Sequence, residues 1–255
     1  MMGRKIALSI CVSTFLIAFT NASANDWNVV QNAQINTITL NQGSAAATDN
    51  SLQGVNVVNL AAGDTLSNTT QTTDFSGGAV FELRQSGAGN NNVQSVNIAR
   101  ASRLTDITQR VTGFATAQMT QNVTGTNNVQ ALNYARSTST AENVTQDVTG
   151  GTVTITNTGT PADTNTQALN YLQSTGDASG TLSQSVTLTT LNVIGSAETG
   201  SVRGQAANVL LVNNAVAVSA SATTNQSLAV GTINITRDPV STAPVALYLN
   251  RIIAN

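Results

Sequence analysis

The sequence predicts an all-β protein, a stacked repeat of the β-solenoid or cross-β-like kind, built from about five units of ~37 residues. Three observations predict it. Two short Gln-centred motifs recur at nearly constant spacing, and the side-chain pattern inside each recurrence has a period of two. The composition, with 9% charged and 4% aromatic residues, has too little charge for a typical disordered chain and too little bulk for a thick core.

From the N-terminus, Met1–Ala24 reads as a secretory signal peptide. Arg4 and Lys5 form its basic start, Ile6 to Phe19 its apolar run, and Ala22-Ser23-Ala24 a small-residue cleavage site. The apolar run is shorter than the roughly 20 residues that span a bilayer. A mature chain starting at Asn25 is therefore expected to be secreted, to the extracellular space or the cell surface. The leader carries the only Cys, Cys11, and the only Lys, so the exported chain can form no disulfide. There is no His anywhere, which removes the commonest general base and transition-metal ligand. The remaining eight Arg against 12 acidic residues give a net charge near −4. That balance, with the Arg residues spread along the chain, argues against nucleic acid as a partner.

Residues 25–52 read as an N-terminal segment, 53–230 as an Asn/Gln-rich β-repeat domain, and 231–255 as a C-terminal cap or assembly strand. Within the repeat, Gln-x-x-Asn occurs as Gln53/Asn56, Gln94/Asn97, Gln130/Asn133, Gln167/Asn170 and Gln205/Asn208, with steps between the Gln residues of 41, 36, 37 and 38. A second motif, Gln in an alternating apolar strand, is centred on Gln71, Gln109, Gln146, Gln184 and Gln226, with steps of 38, 37, 38 and 42. The period of two puts Gln130, Leu132, Tyr134 and Arg136 on one face, and Val129, Ala131, Asn133 and Ala135 on the other. Gly-containing turns at Gly87-Ala88-Gly89, Gly113, Gly125, Gly150-Gly151 and Gly159 punctuate the strands. The three Pro residues, Pro161, Pro239 and Pro244, stand in a turn and in the tail, away from any ladder they would break.

Stacking gives the amides a use. If each unit lies one strand spacing, ~4.8 Å, above the last, equivalent Gln and Asn side chains meet, each donating to one neighbour and accepting from the other. Only the end members then lack a partner, which gives each end a reason to bind another copy. On this reading the fifteen Gln and Asn residues of the two motifs are the assembly ladder. No catalytic residues, metal ligands or cofactors are expected.

The segment Leu83-Arg84-Gln85-Ser86-Gly87-Ala88-Gly89-Asn90 resembles the curlin repeat, apolar-x-Gln-x-Gly-x-x-Asn, and Met119–Asn127 is a looser version with a longer Gln-to-Gly interval. The unit length and the run Gly54 to Asp64 are similar to the Fap-type functional amyloid subunits, although their C-terminal Cys pair is missing. The resemblance covers roughly Gln53 to Val230. It implies an exported subunit that self-assembles into extracellular amyloid-like fibres for biofilm matrix and surface adhesion. Its implied partners are further copies of itself, with a nucleator subunit, a chaperone and an outer-membrane exporter as accessory candidates.

Other readings rest on fewer residues. A β-helical enzyme would need grouped carboxylates, for which Glu142 with Asp147 and Asp163 with Asp177 are the nearest candidates. Calcium sites of the Gly-Gly-x-Gly-x-Asp type are absent from the sequence. Asn68, Asn122, Asn143, Asn225 and Asn234 stand in Asn-x-Ser/Thr triplets that a chain rich in Asn and Thr produces by chance. Arg100 and Arg136, at equivalent positions, suit gatekeepers against premature stacking, or contacts to an anionic surface. The alternatives to a fibre are a non-polymerising solenoid adhesin presenting Thr/Asn/Ser faces to carbohydrate, a surface or ice, and a strand-exchanging pilin-like subunit with Asp26 to Leu40 or Ala243 to Ile253 as donor.

Overall fold

The computed structural model describes residues 4–10, 15–18, 25–44, 49–158, 165–195, 205–212, 222–237 and 247–254. Among them there are fourteen strands and no helix: β1 (Arg4–Ile10), β2 (Phe15–Ala18), β3 (Asp26–Gln34), β4 (Thr37–Ser44), β5 (Leu52–Asn59), β6 (Thr65–Asp74), β7 (Val80–Gly87), β8 (Val93–Val123), β9 (Val129–Asn157), β10 (Thr166–Ser174), β11 (Asp177–Gly195), β12 (Gln205–Val212), β13 (Thr223–Arg237) and β14 (Leu247–Ala254). Every pairing between them is parallel.

The pairings sort into three ladders. The first runs β2, β5, the start of β8, the start of β9, β10, β12 and β14. The second runs β1, β3, β6, the middle of β8 and β9, and the first halves of β11 and β13. The third runs β4, β7, the ends of β8 and β9, and the second halves of β11 and β13. One turn of chain thus supplies one strand to each ladder, and the next turn lies on it in register. The architecture is a β-solenoid of about five turns. The pairing continues on both sides of Gln53–Val230, through β3 and β4 before it and β14 after it.

The long strands β8 and β9 serve all three ladders by bending. Their register shifts between Ala101 and Arg103 and between Thr112 and Phe114, where one ladder gives way to the next. Inside the second ladder Asn68, Asp106, Asn143 and Gly180 hold φ of 44°, 55°, 51° and 64° on successive turns. The left-handed region tolerates Asn, Asp and Gly best, so the recurrence of these types follows from the recurrence of the bend. At the entry to the first ladder Asn50, Asn91 and Asn127 do the same, at 60°, 59° and 58°.

A bend also corrects the expected faces of the first ladder. Val96, Leu132 and Leu169 are passed over in the backbone pairing, while the residues on either side of them pair in register. Strict alternation fails there, so two consecutive residues turn inward. Leu132 packs with Val148 and Val153 of the other two ladders, and Asn133 donates to the carbonyl of Asp147. Gln130, Leu132, Asn133 and Ala135 therefore share the interior. Val129, Ala131 and Tyr134 form a separate cluster with Ile98, Ala168, Tyr171 and Val209. Both sides of the strand are buried, as are all nine residues of β10.

Columns of like residues fill the core. Tyr134 stacks on Tyr171 with ring centroids 5.2 Å apart and planes 6° from parallel. At the corner between the second and third ladders Phe75 stacks on Phe81 at 4.3 Å, and Phe114 meets both edge-on. Gly150 makes room for Phe114 on the next turn, since a Cβ there would sit 2.3 Å from the ring.

Of the leader expected from sequence, only the backbone of residues 4–10 and 15–18 is described, and Ala22-Ser23-Ala24 lies outside the described residues. Pro161, Pro239, Pro244, Gly159 and Asp163 also lie outside them.

Candidate functional site: buried amide ladders

The two Gln motifs land on themselves. In the first ladder Gln53, Gln94, Gln130, Gln167 and Gln205 are in backbone register, and in the second Gln71, Gln109, Gln146, Gln184 and Gln226. Gln94, Gln109, Gln130 and Gln146 have no exposed surface at all. A lone buried amide would cost a few kcal/mol, so its partners decide whether the arrangement is stable.

The partners are other amides. Gln94 donates through Nε2 to Gln53 Oε1 at 2.7 Å, Gln130 to Gln94 at 2.8 Å and Gln167 to Gln130 at 2.8 Å. The side chain of Gln205 lies outside the described residues. In the second ladder Gln71 donates to Gln31, Gln109 to Gln71, Gln146 to Gln109, Gln184 to Gln146 and Gln226 to Gln184, all at 2.7 to 2.8 Å. The other N–H of the amides from Gln71 to Gln184 in the second ladder, and from Gln94 to Gln167 in the first, reaches across the interior to a backbone carbonyl. Gln109 uses Tyr134, Gln146 uses Tyr171 and Gln184 uses Val209, while Gln130 uses Leu83 and Thr120. These carbonyls belong to a different ladder, so the amides tie the sides of the solenoid together as well as its turns.

The Asn residues form a third column with the opposite sense. Asn56 donates to Asn97, Asn97 to Asn133, Asn133 to Asn170, Asn170 to Asn208 and Asn208 to Asn250, at 2.8 to 2.9 Å. Each Gln gives its hydrogen to the preceding turn, and each Asn to the following one. The second N–H of Asn97, Asn133, Asn170 and Asn208 goes to the carbonyls of Arg110, Asp147, Ser185 and Ser227 in the second ladder.

Sequence reasoning missed several members. Gln31 begins the second column 40 residues before Gln71, and Asn250 ends the Asn column 42 residues after Asn208. A further column in the third ladder joins Gln42, Gln85 and Gln121, with Gln85 donating to Gln42 at 2.8 Å and Gln121 to Gln85 at 2.7 Å. Gln85 and Gln121 lie in the curlin-like segments, and their separation of 36 was the signal that could have placed them. Where that column should continue stands Asn157, one methylene shorter, and Gln121 Oε1 is buried without a partner. Asn92, Asn128 and Asn165 form an edge column in which Asn128 and Asn165 accept the backbone N–H of the Asn one turn before, at 3.0 and 2.9 Å.

Of the charged candidates, Glu142 lies opposite Thr105 and Ser179 in the second ladder, and Asp163 lies outside the described residues. Asp147 lies 3.4 Å from Arg110, Asp177 is exposed opposite Thr140, and among the described residues no cluster of acidic side chains could hold a metal ion. Arg100 and Arg136 are in register on adjacent turns, and neither forms an ion pair among the described residues. Comparison with protein-family models, with curated proteins and with solved structures returns no match.

Two substitutions test the columns. Gln146→Leu strands Gln109 Oε1 and Gln184 Nε2 and should lower unfolding stability by about 2–5 kcal/mol, whereas Gln118→Leu, at an exposed position, should change it by less than about 0.5 kcal/mol. Asn157→Gln extends the third-ladder column to Gln121 and should raise stability by about 1 kcal/mol, read as a higher denaturation midpoint.

Proposed function

We propose that this chain is a secreted structural subunit that polymerises into amyloid-like fibres of its own kind, as in the curlin-like and Fap-type matrices its repeats resemble. The observation that carries the reading is β13, the last strand of the second and third ladders, whose outer edge no strand pairs with among the described residues. The interior columns Phe81, Ala117, Val153, Leu191 and Leu83, Met119, Ile155, Val193 are at most 2% exposed. They run out on β13 at Ile233 and Ile235, which are 37% and 60% exposed. Soluble proteins normally blunt such an end with charge, Pro or a covering element. Here β13 carries no Pro and no charge before its last residue, Arg237, and among the described residues it pairs with β11 alone.

Further copies supply the natural cover. Export through an outer membrane, a chaperone that delays stacking and a nucleator that starts it are the accessory partners such a subunit calls for, and biofilm matrix and surface adhesion are the role. A second reading has one observation in its favour: Thr116, Thr152, Thr190 and Thr232 form a rank along the third ladder, suited to a surface-binding face on a monomer.

The chain from Asn25, diluted from denaturant, should form unbranched fibrils that bind thioflavin and diffract with the ~4.8 Å meridional spacing of stacked strands. A β-rich monomer that persists at high concentration would defeat the fibre reading and favour the Thr face.

A further inference from the structure

We infer that copies join head-to-tail in one register, with β4 of one copy laid on the second half of β13 of the next, so that the fibre is polar. This rests on the fibre reading and specifies its junction.

The register follows from the third ladder. Thr37 heads a column that ends at Thr232, Ile38 a column that ends at Ile233, and Leu40 a column that ends at Ile235. Thr37-Ile38-Thr39-Leu40 therefore repeats the pattern of Thr232-Ile233-Asn234-Ile235, and is the strand the ladder would place after its last one. Seated there, Ile38 covers Ile233 and Leu40 covers Ile235. A slip of one residue would bring outward-facing Thr side chains against the core columns. Among the described residues β4 pairs with β7 alone and β13 with β11 alone, and Thr37 to Ser44 contains no charge and no Pro. In a chain that begins at Asn25, the edges of β3 and β5 that β1 and β2 pair with are open as well.

The direction follows from the amides. The Gln columns pass hydrogens toward the N-terminal end, and the Asn column passes them toward the C-terminal end. Head-to-tail stacking continues both senses across the junction. Head-to-head stacking reverses both, setting donor against donor in one column and acceptor against acceptor in another. A contact between two different surfaces closes into a ring only if its rotation brings the last copy back to the first; stacking along the solenoid axis does not, and propagates as a filament.

Thr39 and Asn234 are exposed and head and end the same outward column. Across the junction their Cα atoms would be ~4.8 Å apart, within disulfide range. With no Cys after Cys11, the chain from Asn25 carrying Thr39→Cys and Asn234→Cys should give, after oxidation of its fibrils, a series of covalent oligomers on a non-reducing gel. Each single variant should remain monomeric there. Covalent dimers from a single variant would overturn the head-to-tail arrangement, and fibrils of the double variant without cross-links would overturn the register. Should that pair impair folding, Asn41→Cys with Thr236→Cys, the next outward pair, repeats the test. The unsubstituted chain run alongside separates the two ideas. If it makes no fibrils, the fibre reading falls and the junction with it; if it makes fibrils and the cross-links fail, only the junction falls.

Discussion

A buried primary amide must find partners for two N–H groups and a carbonyl oxygen, and no other uncharged side chain demands so much of its neighbours. In this chain the repeat supplies them along the columns, with Gln121 Oε1 the exception. The turn before gives one partner, the turn after another, and a backbone carbonyl across the interior the third. Each condition holds only if successive turns lie in register and the three ladders keep their distance from one another. The amide columns therefore specify turn spacing, register and cross-section together. Hydrophobic contacts alone would do this poorly, because Val, Ile and Leu tolerate sliding along a column of their own kind.

The thin core is compatible with this arrangement. With few aromatics, the chain spends them where columns of unlike shape must be joined: Phe75, Phe81 and Phe114 at one corner, and Tyr134 on Tyr171 along the bent first ladder. Elsewhere small residues suffice because polar columns fill the interior and satisfy it at the same time. The same economy leaves the ends unfinished. A column of amides or of Ile residues has no internal reason to stop, and its termination has to come from a cap, from solvent or from another molecule.

Much of this was legible in the sequence, since spacing near 37 residues and alternation of period two are direct consequences of parallel stacking. The five Gln-x-x-Asn pairs and the five second-motif Gln residues fall in register because the period is a property of the chain. What escaped has physical causes. The inward turn of both Leu132 and Asn133 arises from a bend in the strand, which leaves no mark in a pattern that is apolar or amide on either side. Gln31 and Asn250 were overlooked because they stand outside the clearest repeats, though at the right separation. The opposite senses of the Gln and Asn columns depend on side-chain length and on which carbonyl lies within reach, and composition carries neither.

If the amide columns hold the stack, the buried amides stay bonded to one another for as long as the solenoid is folded. Hydrogen exchange of side-chain amides, resolved residue by residue by nuclear magnetic resonance, tests it most directly. The Nε2 hydrogens of Gln109 and Gln146 should exchange as slowly as the backbone amides of β8 and β9, by global opening alone, while exposed Gln118 exchanges freely. If Gln109 and Gln146 exchanged at the rate of Gln118, the columns would not be what holds the stack together.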